Sequence, residues 1–408
     1  MTVTPARYQR HLDLWLVGTT MFLMVVGLWL VSDTSYVNVP PHQSVLQYAQ
    51  LQIRGQIIGA VFGTFCMILF MAIPYGKLRK VSGIGVILGI ALLVAVWLPH
   101  LGIRLNDSNR WVRFGPIHLE SSEFAKLALI LVTASVLADD RKTHPLSLLG
   151  AWIVMFKTIL PRTLRRKVPF MFYQVSLVLF LSGICLLLID KEPDLGTAAV
   201  VLAAVLTQLY LGGVRIKYIA SLVAAALVLV ATIGLHGNNV QHRIHRIEVY
   251  LHPNMDPQGI GYQVMQAKLA VGSGSWTGVG LGKGRQKYYL PQANSDNIFA
   301  TYAEETGFVG DLILLGSLCI FTWRAYIISM NAPDRFGTLF AGGIGALISL
   351  QAALNIAVVT GTVPATGVPL PFISHGSSSL ILSLCAVGIL LNIGSSKAPP
   401  KPVELRGD

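Results

Sequence analysis

The segment LDLWLVGTTMFLMVVGLWLV, residues 12–31, contains one charged residue in twenty positions. A helix needs about 20 predominantly apolar residues to cross the hydrocarbon core of a bilayer. The segment follows Arg7 and Arg10, is too long for the core of a signal peptide, and has no small-x-small cleavage site at its end. It therefore predicts a retained first transmembrane helix.

The rest of the chain repeats this pattern. Apolar residues make up 53% of the 408 residues and charged residues 12%, about half the charge of a soluble protein. The sequence predicts an all-α polytopic membrane protein, with one domain over residues 1–395 and a disordered cytoplasmic tail over 396–408. Ten spans are expected, near residues 12–31, 56–74, 83–100, 122–137, 168–189, 195–213, 218–235, 307–329, 338–361 and 372–393.

The distribution of lysine and arginine predicts the orientation. With the N-terminus inside, 19 of the 31 cationic residues lie on the cytoplasmic side, as the positive-inside rule requires. Both termini are then cytoplasmic, and the large polar loop 236–306 faces outward. The excess of basic charge belongs to the cytoplasmic face and gives no indication of nucleic-acid binding.

Ionisable residues gather at the outward ends of the spans. Arg110, Glu123 and Lys126 lie around Trp111 at the entry to the fourth span, and Glu123 and Lys126 are one helical turn apart, so they can pair. This clustering favours a binding function for the three charged residues, whereas Trp111 alone is better explained as an interfacial anchor. In the turn DKEPDLGT (190–197), Asp194 fits a helix cap and a site residue equally well.

The large loop combines cations with closely spaced glycines. GVGLGKG (278–284) lacks the spacing of a P-loop, but glycine-rich backbone can approach an anion closely. A flexible hinge is the alternative for the glycines alone. Together with six cations, including Arg246 and Lys268, they favour a phosphate-bearing, lipid-linked ligand.

Three carboxylates follow the glycine-rich stretch, at the end of the large loop. Glu304 and Glu305 are expected in or near the first turns of the eighth span, where acids interact favourably with the helix dipole. Asp296 lies earlier, in the loop itself. A carboxylate at a desolvated boundary has a raised pKa and can act as a general base.

Several motifs occur together in a characteristic order: NRWVRFG (109–115), SSEFAKLALIL (121–131), EPDLGT (192–197), GYQVMQAKLAVGSG (261–274), YLPQANSDNIFATYAEETGFVG (289–310) and VPLPFISHGSSSL (368–380). In this combination the chain resembles the SEDS family (shape, elongation, division and sporulation), which includes FtsW, RodA and SpoVE. The resemblance covers residues 10–395 and leans toward the FtsW branch. It implies a ten-helix bundle that polymerises lipid II into peptidoglycan at the outer face of the bacterial cytoplasmic membrane, with a class B penicillin-binding protein as partner.

The resemblance also assigns residues. It places the essential loop aspartate at Asp296 and substrate-binding positions at Arg110, Trp111, Glu123, Lys126, Asp194 and Lys268. The neighbours of Asp296 depart from the family pattern, with Asn294-Ser295 for His-Thr and Asn297 for Phe. Two further departures are Glu120-Ser121 for Gln-Pro and His375-Gly376-Ser377 for Tyr-Gly-Gly.

The resulting hypothesis is a direct displacement. Asp296 takes the proton of a sugar hydroxyl, which attacks a pyrophosphate-linked anomeric carbon with inversion, while Arg110, Arg246 and Lys268, with a Mg²⁺ or Mn²⁺ ion as an optional helper, stabilise the leaving group. Glu304 and Glu305 are included among the substrate-binding candidates. A flippase for lipid-linked oligosaccharides and a non-catalytic scaffold for the penicillin-binding protein are the alternatives.

Overall fold

The computed structural model describes residues 12–37, 44–98, 101–105, 108–114, 117–139, 148–159, 169–192, 194–225 and 240–396. The helices in chain order are α1 (Leu14–Thr34), α2 (Val45–Ala72), α3 (Gly76–Ala95), α4 (Ser121–Leu137), α5 (Leu148–Ile159), α6 (Phe170–Lys191), α7 (Leu195–Leu211), α8 (Ile216–Ala225), α9 (Val240–Leu251), α10 (Ile260–Ser273), α11 (Ile298–Met330), α12 (Arg335–Val359) and α13 (Ser377–Ser395).

Seven of these described helices are long and apolar enough to cross a membrane: α1, α2, α3, α6, α11, α12 and α13. They coincide with seven of the ten predicted spans. Helices α4 and α7 occupy the fourth and sixth predicted spans but have only 17 residues each. The seventh span is described only as far as Ala225, and the predicted disordered tail lies almost wholly outside the described residues. The chain is thus a multi-pass membrane protein, and the number ten stays a prediction.

Several helix starts differ from the prediction, and those of α2 and α11 differ most. Helix α2 begins at Val45, where Ser44 accepts a hydrogen bond from Gln47 N, and α11 begins at Ile298. Glu304 and Glu305 are therefore the seventh and eighth residues of α11, in its second and third turns. At Gly307 the backbone of α11 leaves the helical conformation, with a φ of 65°, which glycine adopts without strain.

The prediction of an all-α chain misses a small sheet. Strands β1 (Gly102–Leu105), β2 (Ser108–Phe114) and β3 (Ile117–Glu120) form an antiparallel meander that leads directly into α4. In this register Trp111 on β2 lies opposite Glu120 on β3. The sheet therefore places residues 110 and 111 beside the first turn of α4.

Helix α12 lies at the centre of the bundle and packs against α4, α7, α11 and α13. Buried amides link these helices: Gln208 Nε2 of α7 donates to Ile130 O of α4 at 2.9 Å and to Leu339 O of α12 at 3.1 Å. Close approach also depends on small residues, because a Cβ atom at Gly63 of α2 would lie 2.6 Å from Leu384 Cδ1 of α13. Small residues and interhelical hydrogen bonds are the usual means of helix packing in membranes.

Candidate active site

Arg110 joins β2 to the turn between α6 and α7. Its Nε donates to Glu192 O at 3.0 Å, and its Nη1 lies 3.4 Å from Asp194 Oδ2. Ser121 Oγ donates to Arg110 O at 3.2 Å and to Glu192 Oε1 at 3.1 Å. These contacts connect three of the sequence motifs, NRWVRFG, SSEFAKLALIL and EPDLGT, through side chains that are largely buried.

Asp194 caps a helix and also forms an ion pair. Its carboxylate accepts a hydrogen bond from Thr197 N at 3.0 Å, which caps α7, and it also pairs with Arg110. Its side chain is 2% exposed. A buried carboxylate needs such partners, because an unpaired charge is costly in a water-poor environment.

Glu123 and Lys126 form the predicted pair on α4. Their Oε1 and Nζ atoms are 2.7 Å apart, and both side chains are buried. Lys126 Nζ also donates to Gln351 Oε1 on α12 at 3.0 Å. The pair therefore has a fixed position relative to the central helix.

Asp296 lies in the turn that precedes α11, next to the segment that follows α12. A Cβ atom at Gly367, whose φ is +76°, would lie 3.3 Å from Asp296 Oδ2. Burial raises the pKa of Asp296 to about 6; Arg110 and Arg246 oppose this shift, and Asp194 adds to it. Arg110, Arg246 and Asp194 are thus close enough to Asp296 to change the free energy of ionising its carboxyl group.

Two further carboxyl groups, those of Glu120 and Glu192, lie close to these residues, although the sequence did not single them out as site candidates. Burial, reinforced by Glu123, raises the pKa of Glu120 to about 8. Burial also raises the pKa of Glu192 to about 8, with Asp194 and Glu120 adding to the shift. The signals for them were the three acids in DKEPD and the glutamate that replaces the family's glutamine at position 120.

We define the charged cluster as Arg110, Glu120, Glu123, Lys126, Glu192, Asp194, Arg246 and Asp296. Arg246 reaches it from α9, with its Nη1 3.5 Å from Ala365 O. Trp111 is half-buried on the adjoining strand. Among the described residues, no group of three or more His, Cys, Asp or Glu side chains is arranged to hold a metal ion.

Lys268 is not part of the charged cluster. It is exposed on α10, and a Cβ atom at Gly361 would lie only 2.0 Å from Lys268 Cε. Its side chain therefore covers the turn after α12.

Glu304 and Glu305 bind the glycine-rich loop instead. Glu305 accepts hydrogen bonds from Gly282 N at 2.7 Å and Gly284 N at 3.1 Å. Glu304 Oε1 accepts from Arg285 N at 2.8 Å and Gln286 N at 3.2 Å. The glycines do surround an anion, but that anion is the protein's own pair of carboxylates.

A buried lysine completes this second group of charges. Lys287 Nζ donates to Glu305 Oε1 at 2.9 Å and to Asp33 of α1. Glu305 also borders an apolar hollow of about 460 Å³ between α1 and α11, whose lining does not include Asp296. These contacts anchor the loop to two membrane helices.

The fold and the charged cluster define an integral membrane protein with a polar site built from the ends of its helices. The profile of the FtsW, RodA and SpoVE family, described as cell cycle protein, matches residues 14–398. The chain belongs to this family.

Individual relatives agree with this assignment. The chain is 36% identical over 344 residues to a probable peptidoglycan glycosyltransferase FtsW of Trichlorobacter lovleyi, covering 84% of this chain and 83% of the relative. It is 35% identical over 387 residues to stage V sporulation protein E of Bacillus subtilis, covering 93% and 96%.

Solved structures share the fold. One, from a peptidoglycan synthase complex, has a TM-score of 0.70 at 22% identity and covers 94% of this chain and 97% of that one. The rod shape determining protein RodA of Thermus thermophilus has a TM-score of 0.62 at 21% identity, covering 95% and 98%.

Proposed function

We propose that this protein is a peptidoglycan glycosyltransferase that polymerises lipid II, with Asp296 as the general base. The main support is the environment of Asp296: burial raises the pKa of this carboxylate to about 6, and Arg110 and Arg246 lie within electrostatic range of it. A base works best when its pKa is near the operating pH. The names of the FtsW relatives support the same reaction class.

The reaction is written as one displacement. The 4-hydroxyl of the acceptor sugar gives its proton to a carboxylate oxygen of Asp296. At the same time the hydroxyl oxygen attacks the anomeric carbon of the donor. The bond from that carbon to the pyrophosphate oxygen breaks, and the lipid pyrophosphate leaves with the electron pair. The anomeric configuration inverts, because a single displacement has no covalent intermediate.

Arg110 and Arg246 are assigned to the leaving group, where negative charge develops. Arg110 is held in place by Glu192 O and Asp194, so it need not reorganise during the reaction. Preorganised cations of this kind stabilise a transition state more than flexible ones. Glu123 with Lys126, Trp111 and Lys268 are proposed to contact the sugar or peptide part of the substrate. Because Glu304 and Glu305 hold the loop, we give them no substrate contact.

The proposal includes a location and a partner. The protein would lie in the bacterial cytoplasmic membrane with both termini cytoplasmic and the charged cluster on the outer side, as the lysine and arginine distribution indicates. A class B penicillin-binding protein is the proposed partner. Its support is the shared fold with a chain of a complex that coordinates polymerization and crosslinking.

The test is polymerisation of labelled lipid II by the purified protein, with and without a class B penicillin-binding protein. Wild type is expected to give glycan ladders and Asp296→Asn none, at equal expression and partner binding. Glu248→Gln, which changes an exposed carboxylate on α9, is the control and keeps full activity.

Other results would identify the alternatives. Transfer of lipid II across vesicle membranes without ladders indicates a flippase, and neither activity indicates a scaffold. Ladders at the wild-type rate from Asp296→Asn would remove the assignment of the base.

A further inference from the structure

Three successive backbone carbonyls around Asp296 each accept a hydrogen bond. His375 N donates to Asn294 O at 2.8 Å, and Ser374 Oγ donates to Ser295 O at 2.7 Å. The third donor is Asn355 Nδ2, which is 2.8 Å from Asp296 O. The turn that carries the proposed base is therefore held at every residue from 294 to 296.

Asn355 makes a second hydrogen bond of the same kind. Its Nδ2 also donates to Val368 O at 2.7 Å, so both hydrogens of the amide are used. Val368 follows Gly367, the residue that faces the Asp296 carboxylate. One side-chain amide, 1% exposed, thus ties the Asp296 turn to the segment opposite its carboxylate.

A second amide repeats this arrangement one helical turn away. Gln351 Nε2 donates to Pro369 O at 3.0 Å, while its Oε1 accepts from Lys126 Nζ. Residues four apart lie on the same face of a helix. Helix α12 therefore holds two neighbouring carbonyls, 368 and 369, and links one to Asp296 and the other to Lys126.

We infer that Asn355 is a positioning residue for the polymerisation reaction, which fixes the Asp296 carboxylate relative to the 366–369 segment and, through Gln351, relative to Lys126. The inference rests on the proposed function, because it explains the hydrogen bonds to the Asp296 turn by the need to position a general base. Asn355 reaches only backbone carbonyls and does not touch the reacting atoms.

The physical reason is the precision that a displacement reaction needs. A misplacement of about 1 Å can reduce a rate by about 100-fold. The Asp296 turn is irregular backbone, in which Ser295 N and Asn297 N both donate to Gln292 O, at 3.1 and 3.4 Å, in place of a regular helical ladder. Three donors from other segments add to this, and of these three Asn355 connects the turn to the central helix α12.

The decisive variant is Asn355→Ala, compared with Asn392→Ala as a matched control. Asn392 is also a buried asparagine in a membrane helix, with Nδ2 donating to Met71 O at 2.6 Å, but it lies on α13 away from the charged cluster. Asn392 Oδ1 also accepts from Tyr75 N at 3.0 Å, so each variant loses two hydrogen bonds of a buried amide and both reduce thermal stability. Only Asn355→Ala removes a contact to the Asp296 turn.

Asn355→Ala is expected to lower kcat per folded molecule about 10- to 100-fold, with KM changed less than threefold. The acid limb of its rate profile should also move below pH 6, because a loosened turn admits water to the Asp296 carboxylate. The groups that act on Asp296, namely Arg110, Arg246 and Asp194, are unchanged in the variant. Asn392→Ala should keep the wild-type kcat per folded molecule and the same acid limb.

Ser374→Ala is the second variant, for use if Asn355→Ala does not fold, and it should shift kcat and the acid limb in the same direction. The inference is overturned if activity follows the folded fraction alone, with an unchanged acid limb, in whichever variant folds. Failure of the proposed function looks different, because wild type would then make no polymer, or Asp296→Asn would make it. Either result is seen before any Asn355 variant is tested.

Discussion

Replacing Asp296 by asparagine should make the folded protein more stable while it abolishes the proposed reaction. Burial raises the pKa of Asp296 from 3.8 to about 6, despite the opposing effect of Arg110 and Arg246. This difference corresponds to about 3 kcal/mol, since each pKa unit is worth about 1.4 kcal/mol. The folded state therefore bears a cost for the ionised carboxylate that a neutral amide of the same shape avoids.

The sign of the effect fixes its pH dependence. Above pH 6 the carboxylate is ionised in both the folded and unfolded states, and the folded state bears the full cost. As the pH falls from 6 toward 3.8 the folded state takes up a proton first, so the cost disappears. The gain from Asp296→Asn is therefore greatest above pH 6 and absent below about pH 4.

The measurement is thermal unfolding of the purified protein in one detergent at pH 7.5 and pH 4 (conditions chosen about the two pKa values). We expect the variant to unfold a few degrees above wild type at the higher pH and at the same temperature at the lower pH. Glu248→Gln, at an exposed position, should differ from wild type at neither pH. An equal gain at both pH values, or none at pH 7.5, would refute burial as the cause of the raised pKa.

Two further predictions concern the surroundings of the site. Lys287→Met leaves the two carboxylates that it pairs with, Asp33 and Glu305, without that cation, so the free energy of unfolding should fall by about 3–5 kcal/mol. Thermal unfolding tests this against Lys283→Met, which changes an exposed lysine of the same loop. Equal stability of the two variants would contradict the prediction. Gly196→Ala places a Cβ atom 2.4 Å from Val368 Cγ2, which displaces the segment facing Asp296. It should reduce polymerisation about tenfold by misalignment, whereas Gly183→Ala, whose Cβ atom has no neighbour within 4 Å, should not.

The sequence predicts the membrane helices well because their signal is local. A long apolar run has few alternatives once backbone hydrogen bonds must be satisfied within the bilayer. Helix ends are harder to predict: α2 begins eleven residues before its predicted span, and α11 nine residues before. In both helices the first turns contain polar residues and lie outside the apolar region. In α11, for example, Glu304 and Glu305 accept hydrogen bonds from the loop.

The charged cluster was predictable in part for a similar reason. Arg110, Glu123, Lys126 and Asp194 lie at the ends of spans, and span ends on one side of a membrane meet in space. The partners of the glycine-rich loop were not predictable. The two carboxylates that bind it, Glu304 and Glu305, come about twenty residues later and lie beside the loop only because the chain folds back as it enters α11. The amides of α12 gave no signal, since a lone asparagine in an apolar helix fits simple packing equally well.

The binding of the glycine-rich loop to Glu304 and Glu305 restricts how a pyrophosphate can be held. Four backbone N–H groups of residues 282–286 donate to these two carboxylates, so they are not available to a substrate anion. Under the proposed function the leaving pyrophosphate must then be met by side-chain cations. Arg110 is the cation coupled to both Asp194 and Asp296. A pyrophosphate that binds Arg110 shares that guanidinium with Asp194 and offsets its positive charge at Asp296, which raises the basicity of that carboxylate as the donor substrate arrives.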